Sequence, residues 1–338
     1  MKAWMYCKQL VDNAEAKLVI EKEEDWTMSQ SQIVADAGVK VLWKSEAPGS
    51  GAPASQCGKK NPASENLGKD VSEAEIILKE GFEAFDNDDF IKLSECTSRL
   101  MKALNEGPIN EEADYWKYKI YDSWEMYASD LSVIYKPSIE MKDNEYSHLV
   151  YQSWMGQICG GAFGTAIEGY SRKSIKDKFG YPNTYLKAPS TYNDDITFEL
   201  AFLKALLEKG KDLTSEAIAN KWVSLIPFGW SAEAIALKNL SLGIYPPESG
   251  RLCNPYREWI GAQMRGAVCG MIAPGKPELA AYYAWMDGEI SHNNNGIVGE
   301  VFNAILTSMA FTENDPKVLV EKACEFLPKG GQYASIVE

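Results

Sequence analysis

The sequence predicts an all-α protein, a large helical domain preceded by a smaller and mainly helical N-terminal region. Three observations carry that expectation. Apolar residues recur at helical spacing through most of the chain, cap residues and glycines punctuate those stretches, and no convincing set of alternating strands is present. With 338 residues, 45% of them hydrophobic, the chain is long enough for one large or two ordinary domains and can bury a sizeable core.

Taken in order, residues 1–45 read as an N-terminal helical segment. Leu10, Val11, Ala14, Leu18 and Val19 fall close to one helical face within 8–24. Residues 46–70 are rich in Gly, Pro, Ser and Lys without periodicity and read as a loop or linker. A phosphate-binding loop does not fit there, because Gly51 and Gly58 are too far apart and Lys59 is followed by Lys60. Residues 71–145 read as a helical hairpin plus an aromatic-rich helix. Ser72 and Glu75 have the form of a capping box, Ile76, Ile77, Phe82 and Phe85 supply a first apolar face, and Phe90, Leu93, Leu100 and Leu104 a second beyond an Asp-rich turn. The third helix is expected over Glu111 to Tyr135, where Trp116, Tyr118, Tyr121, Trp124 and Tyr127 suit core or inter-domain packing better than a ligand site.

The main domain is expected over residues 146–338. Its helices read as about 146–167, 194–209, 214–224, 231–241, 257–272, 277–291, 297–312 and 315–327, with Thr214 and Ser231 as starts and Gly210 and Gly243 as stops.

Charge and composition narrow the function. Acidic residues number 48 against 34 basic, a formal charge of −14, which argues against nucleic acid or an anionic membrane as a general partner while leaving room for a local basic site. The seven cysteines are scattered and never spaced C-x-x-C, so neither a disulfide framework nor a thiolate zinc site is indicated and a reducing, cytoplasmic setting is expected. Neither a secretory leader nor an apolar run long enough for a membrane span is found. Two histidines, His148 and His292, leave any polynuclear metal centre to oxygen ligands, hence to Mg²⁺, Mn²⁺ or Ca²⁺.

The richest stretch is Tyr192-Asn193-Asp194-Asp195-Ile196-Thr197, which opens the apolar run Phe198–Leu207. Its amide, carboxylates and hydroxyl make a candidate cation site. The same residue types also cap helices and complement the macrodipole, so both readings stand. Before it lies a glycine-rich run from Gly156 to Gly169 that includes Gly160, Gly161, Gly164 and Glu168. Such glycines serve close helix packing or the approach of a diphosphate to bare N–H groups. Glu168 is either a solvated helix-end acid or a carboxylate able to position water or relay a proton. Arg265 suits a phosphate or a carboxylate equally.

Four motifs in one order resemble the ADP-ribosylglycohydrolase family, which includes the dinitrogenase-reductase-activating glycohydrolases and the J-type lens crystallins. They are Gly160-Gly161-Ala-Phe-Gly164-Thr165-Ala-Ile-Glu168, Asn193-Asp194-Asp195-Ile196-Thr197, Ile260-Gly261-Ala-Gln-Met264-Arg265 and Ser291-His292-Asn-Asn-Asn-Gly296-Ile-Val-Gly299-Glu300. The resemblance implies an all-α domain that hydrolyses the bond joining ADP-ribose to an acceptor nitrogen or oxygen, with two Mg²⁺ or Mn²⁺ ions in the complete site. It implies Asn193, Asp194 and Asp195 as metal ligands, Glu168 and Asp195 as catalytic residues, and Gly261, Met264, Arg265, His292 and Gly296 as substrate-binding residues. The partner it implies is an ADP-ribosylated protein or a small ADP-ribosyl or ribosyl conjugate.

The chain departs from the pattern at Thr165, where the family has Asp, and at Asn193, where it has Thr or Ser. The family's second loop, of the form Gly-Asp-Thr-Asp, is not found in the sequence. The expectation is therefore a domain incomplete at its C-terminus, part of a longer protein, with a non-catalytic ADP-ribose- or nucleotide-binding or scaffolding protein as the alternative.

Overall fold

The computed structural model describes residues 63–131, 141–188 and 193–337, with positions 5, 8, 12–13, 38, 40, 42–45 and 51–55 before them. Most of the 8–24 helix, residues 46–50 and 56–62 of the 46–70 loop, the end of the helix expected to Tyr135, and Tyr192 lie outside the described residues. Among those described, all regular structure is helical, as expected, apart from an isolated bridge between Lys69 and Ile109.

After a short α1 (Ala63–Asn66) come α2 (Ser72–Asp86) and α3 (Phe90–Glu106), the expected hairpin. The Asp-rich turn works through Asp88, at φ 55°, and through Asp89, whose carboxylate accepts from Lys92 N at 2.9 Å and caps α3. The start of α2 differs from the expected capping box: Ser72 gives both its N–H and its hydroxyl to Asp70 Oδ1. Ile77, Leu78, Leu93, Leu100 and Leu104 bury around Trp43, whose ring occupies the space a side chain at Gly81 would need. Ile76, expected on this face, points to solvent.

No single helix spans 111–135. A 3-10 turn at Asp114–Lys117 is followed by extended chain and then α4 (Trp124–Ser129). Tertiary partners take the backbone between them: Lys119 N donates to Gly330 O at 2.9 Å and Tyr121 N to Asn294 Oδ1 at 3.0 Å. The aromatic stripe is core, since Tyr121 and Tyr127 are buried with the helices of the C-terminal region, and Tyr127 Oη donates to Phe326 O at 3.0 Å.

That region comprises α5 (Asp143–Gly164), α6 (Arg172–Phe179), α7 (Asp194–Lys209), α8 (Ser215–Leu225), α9 (Ser231–Ser241), α10 (Glu248–Arg251), α11 (Ala267–Met271), α12 (Pro277–Gly288), α13 (Asn295–Ala310), α14 (Pro316–Cys324) and α15 (Gln332–Val337). Its axis is α13, whose Val298, Val301, Phe302, Ile305 and Met309 are all buried, against α12 on one side and α11 on another. Burying such a stripe contributes roughly 1.5–3 kcal/mol per large side chain before the ordering entropy is set against it.

The helix expected over 257–272 is instead a 3-10 turn at Ile260–Arg265 followed by α11. Close approach to α13 sets this backbone. A Cβ at Gly266 would stand 2.6 Å from Glu300 O, and one at Gly270 would stand 2.5 Å from Ala304 O. The short helices α6, α10 and α15 had no apolar periodicity to announce them, and α6 buries none of its residues. The long α5 also buries none; it is held by Tyr146 Oη donating to Met271 O at 3.0 Å and by Trp154 against the core.

Candidate functional site

Asn193 is the N-cap of α7. Its backbone is extended and its Oδ1 accepts from Ile196 N at 3.3 Å, while Thr197 Oγ1 donates back to Asn193 O at 2.9 Å. Asp194 and Asp195 therefore occupy the first turn, where the helix dipole favours negative charge. Capping is thus real for Asn193, and it leaves the two carboxylates available.

The glycine-rich helix α5 meets this start at Gly161. A Cβ there would lie 2.6 Å from Asn193 Nδ2 and 3.6 Å from Asp195 Oδ2, so no larger residue allows the approach. The turn that follows α5, closed by Thr165 Oγ1 donating to Gly161 O at 2.8 Å, carries Glu168 back to the same place. Glu168 is exposed as a residue, but partial desolvation of its carboxyl and the neighbouring Asp194 push it above its ordinary range. Asp195 is pushed up to about 6, chiefly by burial and then by Asp194 and Glu168. Three expected residues thus come together, and among the described residues none of them has an ion-pair partner.

One turn further along α7, Glu199 is buried, a residue not singled out in the sequence. Its Oε1 accepts from Val268 N at 3.1 Å and the Gln157 side chain supports it, while Oε2 has no partner. Burial pushes its carboxyl up to about 8. The available signal was an acid inside the apolar run, four residues after Asp195 and on the same helical face.

The other expected residues gather inside the protein. The Arg265 guanidinium is 1% exposed; Nε donates to Asp287 Oδ2 at 2.5 Å, Nη1 to Glu233 Oε1 at 2.9 Å and Gly261 O at 3.1 Å, and Nη2 to Ser291 Oγ at 3.0 Å. It also lies 4.8 Å from the Trp222 ring centre and 5.3 Å from that of Phe198. Of the two readings of Arg265, the carboxylate one is what the structure places here. Burial alone would lower its pKa, but the acids around it, Asp287 and Glu233 bonded to it directly, outweigh that and fix the charge.

His292 is fully buried, with Nδ1 2.7 Å from Ser291 Oγ and Nε2 3.9 Å from Glu233 Oε1. Burial and then Arg265 hold it well below its ordinary pKa, hence neutral. Because Ser291 Oγ already accepts from Arg265, its own proton is best satisfied on Nδ1, which leaves the ring proton on Nε2. Gly296 packs on His292 and Arg257, and Gly261 on the Glu233 carboxylate, 2.1 Å from where a Cβ would stand.

Arg265, His292 and Gly296, which the resemblance implies as substrate-binding residues, are all buried here, behind the Glu233 carboxylate. Met264 faces a separate cavity of about 410 Å³ with Gln157, Asn303 and Phe311. Glu233 links the clusters: burial raises its pKa, Arg265 lowers it, and Asp194 raises it again. Glu300, held well above the ordinary carboxylate range by burial and by Asp287, keeps its proton and can donate it to the otherwise unpartnered Asp287 Oδ1.

Donor chemistry at the start of α7 fits a hard divalent cation, since the carboxylates repel one another and, among the described residues, no basic side chain pairs with them. Among the described residues, however, no three His, Cys, Asp or Glu side chains are arranged to hold a metal ion. The fit is that of one side of a cation site. The cysteines described, Cys96, Cys159, Cys253, Cys269 and Cys324, are unbridged, and no described helix is long and apolar enough to cross a membrane.

Fold and site together define an all-α protein that gathers acids at the junction of a glycine-rich helix and an Asp-Asp helix start. The chain belongs to the ADP-ribosylglycohydrolase family, which its residues 142–338 match, and the family's activity is glycohydrolysis of ADP-ribose conjugates. Comparison with curated proteins and with solved structures gave no match.

Proposed function

We propose that the protein hydrolyses an N- or O-glycosidic bond of an ADP-ribose conjugate, or of a related ribosyl conjugate, at the Glu168, Asp194 and Asp195 cluster, with Mg²⁺ or Mn²⁺ as cofactor. The observation that carries this reading is the convergence of Glu168 on Asp194 and Asp195 at the start of α7, where burial and then the neighbouring acids raise the Glu168 and Asp195 carboxyls and no ion pair to the three acids is found among the described residues.

Asp194 and Asp195, with Asn193 as a third oxygen donor, would hold the metal, which when bound supplies positive charge to fix the ribose diol and polarise water. Glu168 is the group that takes a proton from the attacking water. The water oxygen bonds to the ribose C1″ as the bond from C1″ to the acceptor breaks, and the proton passes to the departing nitrogen or oxygen. Its raised pKa suits a carboxyl that both accepts and returns a proton. The Arg265 network keeps Glu233 and the Gly261 turn in place behind the site.

The test is release of ADP-ribose from an arginine-linked conjugate with Mn²⁺ present, for wild type and Asp194→Asn, together with calorimetric Mn²⁺ binding. Metal-dependent release that the variant loses along with its Mn²⁺ affinity supports the reading. A second reading, a non-catalytic binder of ADP-ribose, is favoured by the lack, among the described residues, of any three His, Cys, Asp or Glu side chains arranged to hold a metal ion. ADP-ribose binding that is indifferent to Mn²⁺ and to Asp194→Asn, with no release, would establish that second reading instead.

A further inference from the structure

The segment that follows Glu168 differs in charge from the rest of the chain. Between Tyr170 and Lys187 it carries Arg172, Lys173, Lys176, Lys178 and Lys187 against Asp177 alone, in a protein of formal charge −14. All five side chains are exposed, and α6 contributes nothing to the core. Lys173 pairs with Asp177, and among the described residues the other four have no carboxylate partner. Like charges so close together repel one another. A chain with 48 acidic residues has partners to spare, so the lack of pairing here is a property of this face.

Aromatic side chains are set among the cations. Tyr170, Phe179, Tyr181 and Tyr185 are all exposed, and Lys176 Nζ lies 5.3 Å above the Tyr181 ring. The segment is also anchored beside the candidate site. Tyr185 lies beside Cys159, and its ring centre lies 6.5 Å from that of Phe163, both on α5. Two residues along from Cys159, on another side of the same helix, Gly161 faces Asn193 and Asp195. Between these sides the backbone at Gly160 and Gly164 is open, with nothing within 4 Å of where a side chain would begin. A ligand reaching the carboxylates across this helix meets the basic and aromatic strip on its other flank.

We propose that the Tyr170–Lys187 face recognises the acceptor side of a protein-linked conjugate, an acidic stretch of polypeptide next to the modified residue. The proposal rests on reading the Glu168, Asp194 and Asp195 cluster as the reacting side. Charge complementarity selects an anionic partner, and the extent of the strip selects a short one. A long polyanion such as RNA would run off it onto an acidic surface and be repelled. The exposed rings supply apolar contact that peptide side chains can use.

The test is fluorescence anisotropy of a labelled glutamate-rich peptide, a glutamine-substituted control peptide and a labelled oligoribonucleotide, titrated with the full chain at low and at physiological salt. The comparison is wild type against the combined variant R172Q/K176Q/K178Q/K187Q, all surface changes outside the carboxylate cluster. The expected result is salt-sensitive binding of the acidic peptide, weakened about tenfold in the variant, with the control peptide weak throughout. Equal binding of both peptides, an unchanged variant, or tighter binding of the oligoribonucleotide would overturn the proposal. Hydrolysis is read separately: acidic-peptide binding without ADP-ribose release refutes the activity and leaves this surface standing. Release at equal rates from acidic and neutral peptide conjugates does the reverse.

Discussion

Replacing Arg265 by methionine tests the internal network directly. The substitution keeps an unbranched side chain of similar reach between Trp222 and Phe198 but deletes the donors to Asp287, Glu233, Ser291 and Gly261 O. Glu233 and Asp287 are then buried acids without a cation, and removing one partner of such a pair destabilises by about 3–5 kcal/mol. Glu233 already titrates above its ordinary range because of burial, with Arg265 pulling it down, so the variant raises it further. An acid whose folded pKa lies above its unfolded value costs stability as pH rises from the unfolded value toward the folded one. The deficit of Arg265→Met should therefore be larger at about pH 8 than at about pH 5. Urea unfolding followed by circular dichroism at both pH values measures it. A deficit below about 1 kcal/mol, or one that does not shrink on acidification, would refute the argument that Arg265 is the internal counter-ion.

Two further outcomes follow from the same geometry. At Gly161, alanine would drive a methyl group against Asn193 Nδ2, so Gly161→Ala should lose about 1 kcal/mol through the α7 cap and weaken Mn²⁺ binding. Gly160→Ala meets nothing and should gain roughly 0.5–1 kcal/mol from helix propensity, which thermal melts of the pair will show. Burial pushes Glu199 up to about 8, so the folded state keeps a proton that the unfolded chain has released above about pH 4.3. Stability consequently falls between those values, and Glu199→Gln should remove that part of the slope, on the order of 5 kcal/mol in urea unfolding across the range.

Much of this molecule was legible locally. The starts of α7 and α8 follow from short-range rules, because Asn193 and Thr214 each accept from an N–H of the first turn; α9 opens at the expected Ser231 without a side-chain cap. The α13 stripe is equally plain, since one face of a helix repeats every three to four residues. The Asp194-Asp195 pair was visible as a helix opening and a candidate site for the same reason.

Elsewhere the sequence alone failed. Helices over 111–135 and 257–272 were expected from propensity and spacing, but Asn294, Gly330 and the α13 backbone claim those segments from far along the chain. Arg265 and His292 carried no mark that told phosphate from carboxylate or surface from interior. Only the tertiary structure brought Glu233, Asp287 and Ser291 around them and sealed both from water. Glu199 became a buried acid by that same enclosure, as α11 and Gln157 closed over it. Which charges exist was written in the residues; which of them are paired, neutral or exposed was decided by long-range packing, because desolvation and ion pairing depend on neighbours that local sequence does not name.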